Sequence, residues 1–377
     1  MSNKPWMIVA GDFSETGGMD RANLQLANYL AFDRPVTLVC HRVAESLANH
    51  PNVTVVPVAR PFGKHLLGEP LLARAGRKLA NRLSQEFAHI VVNGGNCFWP
   101  DVNWVHCVHA AYPPPVAGNI VNSLKIRLNH QRNVRLERQA IQRSKTIICN
   151  SQRTANDIVN LIGVTPDRIR VVYLGIDPHQ FPPITPEVRK QSREKLRLSD
   201  RPWVGFIGQL GNRIKGFDKL YEAWATLCKN PSWDVNLLVI GAGASLLDWQ
   251  RRSASDGLAG RVQFFGFRTD IPEIIAACDA MIQPSRYDAY GLAVQEGICR
   301  GLPVLVSRHA GISERYPPEL VDLVIPDPED TSDIVERLYH WRQNLNKLAE
   351  LTKPFSDQLR SHTWDDMAKE FVAAVGT

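Results

Sequence analysis

The sequence predicts an α/β protein built as two doubly wound, parallel-sheet domains, and three observations carry that prediction. Short apolar strands alternate with helical stretches from Met7 onward. The rhythm breaks between Gly175 and Arg189, where Pro178, Pro182, Pro183 and Pro186 crowd together. A second alternating series then starts at Trp203. With 377 residues, 44% of them hydrophobic, the chain is long enough for each domain to have its own core.

The opening unit reads as a strand over Met7–Ala10, a polar glycine-containing loop over Gly11–Gly18, and a helix with Ala22, Leu26, Tyr29 and Leu30 at helical spacing. Strand candidates follow at Val36–Cys40, Val53–Val58, Ile90–Asn93, Val102–Val108, Lys145–Asn150 and Ile169–Tyr173. Helical or loop-like stretches separate them, which favours parallel pairing. The proline-rich stretch that follows is unsuited to a regular helix or a central strand, so the domain boundary is expected there, dividing residues 1–177 from 178–356. In the second domain the strands are expected at Trp203–Gly208, Leu237–Ile240, Val262–Phe265, Ala280–Gln283, Val304–Val306 and Leu323–Ile325. A terminal helix over Trp364–Val375 places Met367, Phe371 and Ala374 on one side, and the segment from about 357 to 377 is expected to pack back on the first domain. No repeat of solenoid period and no low-complexity tract is present.

Composition narrows the class. The N-terminal apolar run, Trp6–Ala10, is closed by Gly11 and Asp12, and no later stretch approaches the roughly 18 apolar residues of a membrane span. A cytoplasmic protein without a secretory signal is therefore expected. The seven cysteines are scattered and form no Cys-x-x-Cys pair, as suits buried thiols in a reducing compartment. The net charge of +6 is unevenly placed: between residues 122 and 145, Lys125, Arg127, Arg132, Arg135, Arg138, Arg143 and Lys145 face a single acid, Glu137. Such a helix suits a phosphorylated acceptor or an anionic membrane surface, and its ordinary reading is a solvated face. Leu66, Leu67, Leu71 and Leu72, followed by Arg74, Arg77, Lys78 and Arg82, form a second apolar and basic stretch. It reads either as peripheral contact with the inner face of a membrane or as an amphipathic helix packed on the first sheet. No nucleic-acid motif accompanies either cluster, so no nucleic-acid partner is expected.

Three loops carry candidate chemistry. Gly17 and Gly18 stand between the first strand and its helix, where glycines let backbone N–H groups approach a phosphate; a glycine turn without a ligand is the plainer alternative. The spacing is not Gly-x-Gly-x-x-Gly, which weighs against a dinucleotide site. In the second domain a strand ends at Gly208, and the loop that leaves it carries Arg213 and Lys215 before Gly216. Cations at the C-terminal end of a parallel strand suit a departing diphosphate, whose negative charge grows as the bond breaks. The third loop runs from Ile282 to Gly297. There Gly291 and Leu292 fall at a helix N-terminus, flanked by Asp288 and Glu296, carboxylates suited to sugar and ribose hydroxyls. An N-cap role for Asp288 is the alternative.

These landmarks, taken in order, resemble the retaining glycosyltransferases of GT-B architecture that carry a Glu, seven residues, Glu signature, the group 1 or family 4 type. They are Gly17-Gly18, Val105–His109, Cys149-Asn150-Ser151, Leu174–Asp177, Lys215-Gly216, Gly241-Ala242-Gly243, Phe265-Gly266-Phe267, Asp288 to Glu296, Gly301–Val304 and Ala310–Glu314. The resemblance covers nearly the whole chain. It implies two Rossmann-like domains facing an interdomain cleft, with the acceptor on the N-terminal side and the nucleotide-sugar on the C-terminal side. It further implies that Glu296 holds the ribose, that Asp288 contacts the transferred sugar, and that Tyr290, Gly291 and Leu292 offer amides to the diphosphate. Gly266, Phe267 and Arg268 would border the base. His109 would lie near the reacting sugar, with His106 as its rival.

Two departures stand out. Gln209 occupies the usual arginine position, and the loop to Lys215 is one residue longer, so Arg213 is the candidate replacement. Asp288 is one methylene shorter than the usual glutamate. The expected activity is a hexosyltransferase reaction from a UDP-, GDP- or ADP-type sugar to a glycan, lipid-linked or small-molecule acceptor, in polysaccharide or glycoconjugate biosynthesis. No metal or other cofactor is expected, because the chain has no Asp-x-Asp pair and its loop cations can take a metal's place. A catalytically silent nucleotide-sugar-binding protein and an epimerase or phosphorylase on the same fold are the alternatives.

Overall fold

The structure, a computed structural model, describes residues 4–112, 120–211 and 213–376. It divides into two compact units: the chain up to Gly175 together with the segment from Thr363 onward, and Ile176–His362. Residues 357–362 thus stay with the second unit.

In the first unit the strands are β1 (Trp6–Val9), β2 (Asp12–Phe13), β3 (Val36–Cys40), β4 (Arg42–Val43), β5 (Val53–Pro57), β6 (His89–Asn93), β7 (Val102–Val105), β8 (Thr146–Cys149) and β9 (Ile169–Val171). Seven of them form one sheet in the order β5-β3-β1-β6-β7-β8-β9, and every pairing is parallel. The connections run outward from β1 to β5 and then return to β6 on the other side, so the switch point lies between β1 and β6. The remaining pair, β2 with β4, is too short for periodicity to reveal and lies where the sequence suggested only a loop. The strand expected over Val102–Val108 ends at Val105, because the chain turns into a 3-10 helix at His109–Ala111.

The helix Trp364–Gly376 closes this unit. It packs on the helix Gly18–Ala31, and Phe371 sets its ring against Trp104 at 4.9 Å and Trp6 at 6.5 Å. A Cβ on Gly175 would stand 2.4 Å from the carbonyl oxygen of Thr363, so a side chain is excluded where the two crossings of the chain run side by side.

The second unit holds β10 (Trp203–Ile207), β11 (Asn236–Ile240), β12 (Val262–Gly266), β13 (Ala280–Gln283), β14 (Val304–Ser307) and β15 (Val324–Ile325), ordered β12-β11-β10-β13-β14-β15 and parallel throughout. Its switch point falls between β10 and β13. One expectation fails here. The proline-rich stretch does carry a regular helix, Pro186–Leu196, because Pro186 takes the first helical position, where its missing N–H costs nothing, and Thr185 caps it. Among the described residues, no helix is long and apolar enough to cross a membrane.

Candidate active site

The second unit gathers its candidate residues at the C-terminal ends of its central strands. Loops diverging from either side of a switch point leave a crevice there. The loop after β10 lies on the loop after β11: Gly208 N–H donates to Ile240 O at 2.9 Å and Leu210 N–H to Ala242 O at 3.0 Å. A Cβ on Gly241, whose φ is +142°, would fall 1.8 Å from Gly208 O, which explains the glycine. Further along, Gly216 has a φ of +72°, and a Cβ there would meet Pro284 O at 1.8 Å. That close approach presses the β10 loop onto the end of β13 and delivers Lys215, whose Nζ lies 2.5 Å from Asp288 Oδ2.

Asp288 is held from a third strand end as well. Its N–H donates to His309 O at 3.0 Å, and its carbonyl accepts from Gly311 N–H at 3.0 Å. Tyr290 O accepts from Ile312 N–H at 2.7 Å, so the Ala310–Glu314 landmark serves as a brace for the Asp288–Gly291 loop. The cap of the following helix, Leu292–Cys299, is Gly291 with a φ of +105°, not Asp288. Val294 and Gln295 N–H donate to Gly291 O at 3.0 and 3.1 Å, which closes the first turn on its cap. Glu296, in its second turn, is 5% exposed. The Tyr290 hydroxyl is bonded to Gln295 and accepts from Arg315 Nη1 at 3.1 Å.

Arg213 is arranged differently. Its guanidinium pairs with Asp218 at 2.6 Å, and Asp218 also binds Arg286 at 2.6 Å, which in turn reaches Glu329. Burial pushes the Asp218 carboxyl up, but the hydrogen bonds and charges of Arg286 and Arg213 outweigh it and hold the carboxyl below its ordinary range. Asn212 lies outside the described residues. At the end of β12, Gly266 has a φ of +68°, Phe267 is 69% exposed, and Arg268 pairs with Asp270. From β12 to β13 is three strand spacings, about 14 Å.

The first unit has its own cluster. Gly17, with a φ of +86°, caps the helix that Gly18 begins. Beside that turn the nearly buried Asp12 binds Arg42 and Arg60, each at 2.6 Å. Burial raises the Asp20 carboxyl to about 6, with the Asp12 charge adding to the effect. No sequence motif marks Asp12, Asp20, Arg42 and Arg60, since they come from two short strands, a helix and a loop.

His109 begins the turn after β7. Glu137 grips it twice: Oε1 lies 2.9 Å from Nδ1, and Oε2 accepts the backbone N–H at 2.9 Å. This fixes the ring and leaves Nε2 as its other face. Burial pulls the His109 pKa down, but the Glu137 hydrogen bond and charge, with a further contribution from Glu69, carry it above the ordinary value. Its rival differs. The His106 ring packs at a tilt against Trp104, centroids 4.4 Å apart, and burial alone pushes its pKa down to about 3. Glu137 stands out in the sequence only as the lone acid in a basic helix, the one signal that could have singled it out.

Of the apolar basic stretch, Leu66, Leu67 and Leu71 are exposed while Leu72 is buried against the first sheet. The helix His65–Leu83 therefore packs on the first sheet, as the amphipathic reading expected, and leaves Leu66, Leu67 and Leu71 exposed. Among the described residues, no group of three or more His, Cys, Asp or Glu side chains is gathered as metal ligands would be.

Two family models match the chain. Residues 16–180 fit the one described as Glycosyltransferase Family 4, and residues 201–341 the one described as Glycosyl transferases group 1. The chain thus carries a family 4 and a group 1 glycosyltransferase domain. A curated relative, 2-deoxystreptamine glucosyltransferase of Streptomyces kanamyceticus, is 29% identical over 213 residues, covering 56% of this chain and 53% of that protein. The chain thus spans a little over half the length of the curated relatives it matches. Among solved structures, WaaG, a glycosyltransferase involved in lipopolysaccharide biosynthesis, superposes with a TM-score of 0.74 at 18% identity over 98% of both chains. Anabaena HepE in complex with UDP and glucose gives 0.74 at 19% identity over 99% of both. These likenesses establish the GT-B fold for this chain.

Proposed function

We propose that the protein transfers a hexose from a nucleotide-diphosphate sugar to an acceptor hydroxyl, with retention of anomeric configuration and without a metal. The observation that carries this reading is the Lys215–Asp288 pair at the switch point of the second unit, beside the helix that bears Glu296. An ammonium fixed at a strand end matches a diphosphate leaving group, since its attraction grows as the sugar–phosphate bond breaks. The helix N-terminus at Gly291 and Leu292 offers amides to the same phosphates, and the buried Glu296 suits the two ribose hydroxyls. Phe267, exposed at the end of β12, offers a ring for the base to stack on.

In this reading the acceptor oxygen attacks the anomeric carbon on the face from which the diphosphate leaves, and the departing phosphate oxygen takes the acceptor proton. His109, held by Glu137, positions the sugar for attack. Asp288 must exchange Lys215 for a sugar hydroxyl when the donor binds, and its short side chain makes it selective for a hydroxyl close to its loop. The relatives' names support the donor class: one is a glucosyltransferase, and HepE is described with UDP and glucose. The acceptor is a glycan, a lipid-linked sugar or a small molecule, and the exposed edge of Leu66, Leu67 and Leu71 suits contact with an anionic membrane surface.

The test is a thermal-shift screen against UDP, GDP, ADP and their sugar conjugates without added metal, run on the wild type, Lys215→Ala and Glu296→Ala. One nucleotide series should raise the melting temperature of the wild type with the logarithm of its concentration, and both variants should lose that response. The anomeric coupling in the NMR spectrum of the product reports retention. A protein that none of the nucleotides stabilises would refute the proposal.

A further inference from the structure

A cavity of ≈ 440 Å³ opens in the first unit beside the His109–Ala111 turn. It is lined by Ala110 and by His130, Gln131, Val134, Arg135 and Arg138 of the helix Ile120–Arg143. Residues 131, 134, 135 and 138 follow the i, i+3, i+4, i+7 spacing of one helix face. Every formal charge on its wall is positive. Arg135 makes no hydrogen bond or ion pair among the described residues. Arg138 commits one N–H to Leu161 O at 2.8 Å, which leaves the rest of its five donors. Glu137, the helix's only acid, is turned away and engaged by His109.

A guanidinium without a carboxylate partner, set over a cavity, matches a phosphate group. The volume falls in the range of about 300–1,000 Å³ typical of small-molecule sites. The cavity also adjoins the residue assigned to the reacting sugar. The Tyr112 ring stands 6.2 Å from that of His109 and 6.5 Å from that of His130. Burial and the neighbouring charge of His109 lower the His130 pKa, against the opposing charge of Glu137.

We propose that this cavity is the acceptor subsite and that the acceptor carries a phosphate, bound by Arg135 and Arg138, with its attacking hydroxyl toward His109. The proposal rests on the transfer reaction inferred above and names its substrate class. Such a phosphate belongs either to a soluble sugar phosphate or to a lipid headgroup, and the same arginines would take both.

The test follows the imidazole NMR signals of the full chain during titration with inorganic phosphate, glucose 6-phosphate and glucose. Both phosphate probes should shift His109 and His130 saturably, and glucose should not. The double variant Arg135→Gln/Arg138→Gln should weaken phosphate binding at least about tenfold, through loss of charge-assisted hydrogen bonds. Arg127→Gln, on the same helix outside the cavity, should leave it unchanged. Absence of a saturable shift with either phosphate probe, or shifts that persist unaltered in the double variant, would overturn the subsite. Co-sedimentation with phosphatidylglycerol and phosphatidylcholine vesicles, competed by glucose 6-phosphate and lost in the double variant, would identify a headgroup; phosphate binding without vesicle binding would identify a soluble acceptor. UDP stabilisation, read in parallel, separates the two inferences. A protein that ignores UDP but binds phosphate through these arginines keeps the subsite and loses the transfer reading, whereas one stabilised by UDP that binds no phosphate loses only the subsite.

Discussion

Replacing Gly216 by alanine tests how the β10 loop delivers Lys215. The new Cβ would stand 1.8 Å from Pro284 O and 2.8 Å from its carbonyl carbon, both backbone atoms at the end of a buried strand. An ordinary carbon–oxygen contact needs about 3.3 Å, so the loop must open by about 1.5 Å. The φ of +72° adds about 1–2 kcal/mol of left-handed strain. For a unit of this size that strain alone lowers the melting temperature by about 2–8 °C. A displacement of this size breaks the 2.5 Å contact between Lys215 and Asp288, and a misplacement of about 1 Å at a reacting centre costs about 10²-fold in rate. Gly260→Ala is the control, since no atom lies within 4 Å of where its Cβ would stand and its φ is ordinary. Melting curves and sugar-transfer rates of the two variants should separate clearly. If Gly216→Ala melts and turns over like Gly260→Ala, the close approach does not position the lysine and the argument fails.

Three further outcomes are expected. In Glu137→Gln the His109 pKa should fall, because the carboxylate that raises it is gone. In the wild type the pair contributes stability that is fully present below the ordinary histidine range and lost as pH rises through the raised value, so NMR titration and melting curves should show this pH dependence vanish in the variant. Asp12→Asn should destabilise the first unit by about 3 kcal/mol in chemical denaturation, since it leaves the largely covered Arg60 without its carboxylate. Although burial raises the Asp12 carboxyl, hydrogen bonds from Arg42 and Arg60 hold it below its ordinary range; its stabilisation is present above that range and lost as pH falls through the depressed value. The same variant should shift the Asp20 titration, about 6 in the wild type, downward as the Asp12 charge disappears, as read by carboxyl NMR. Leu67→Gln/Leu71→Gln should reduce co-sedimentation with anionic vesicles without altering the melting temperature, because both side chains are exposed; unchanged co-sedimentation would rule out membrane contact through this edge.

Much of this protein was settled by sequence alone, and the reason is burial. A parallel sheet covered on both faces needs strands that are apolar throughout, so Val36–Cys40 and Ala280–Gln283 stand out as runs whose ends coincide with the folded strands. Gly216 and Gly291 were placed in the two candidate loops by sequence, whereas their left-handed backbone angles emerge only in the folded chain. What the tertiary structure decided were meetings between residues far apart in the chain. Lys215 meets Asp288 across 73 positions because β10 and β13 are neighbours at the switch point, and Asp12 gathers Arg42 and Arg60 from separate strand ends. His106 and His109 likewise differ only in the fold: Glu137, 28 residues beyond His109, holds that ring, whereas the His106 ring packs at a tilt against Trp104. Local periodicity records which face of an element is buried; it carries no record of which charges the packing then brings within reach of one another.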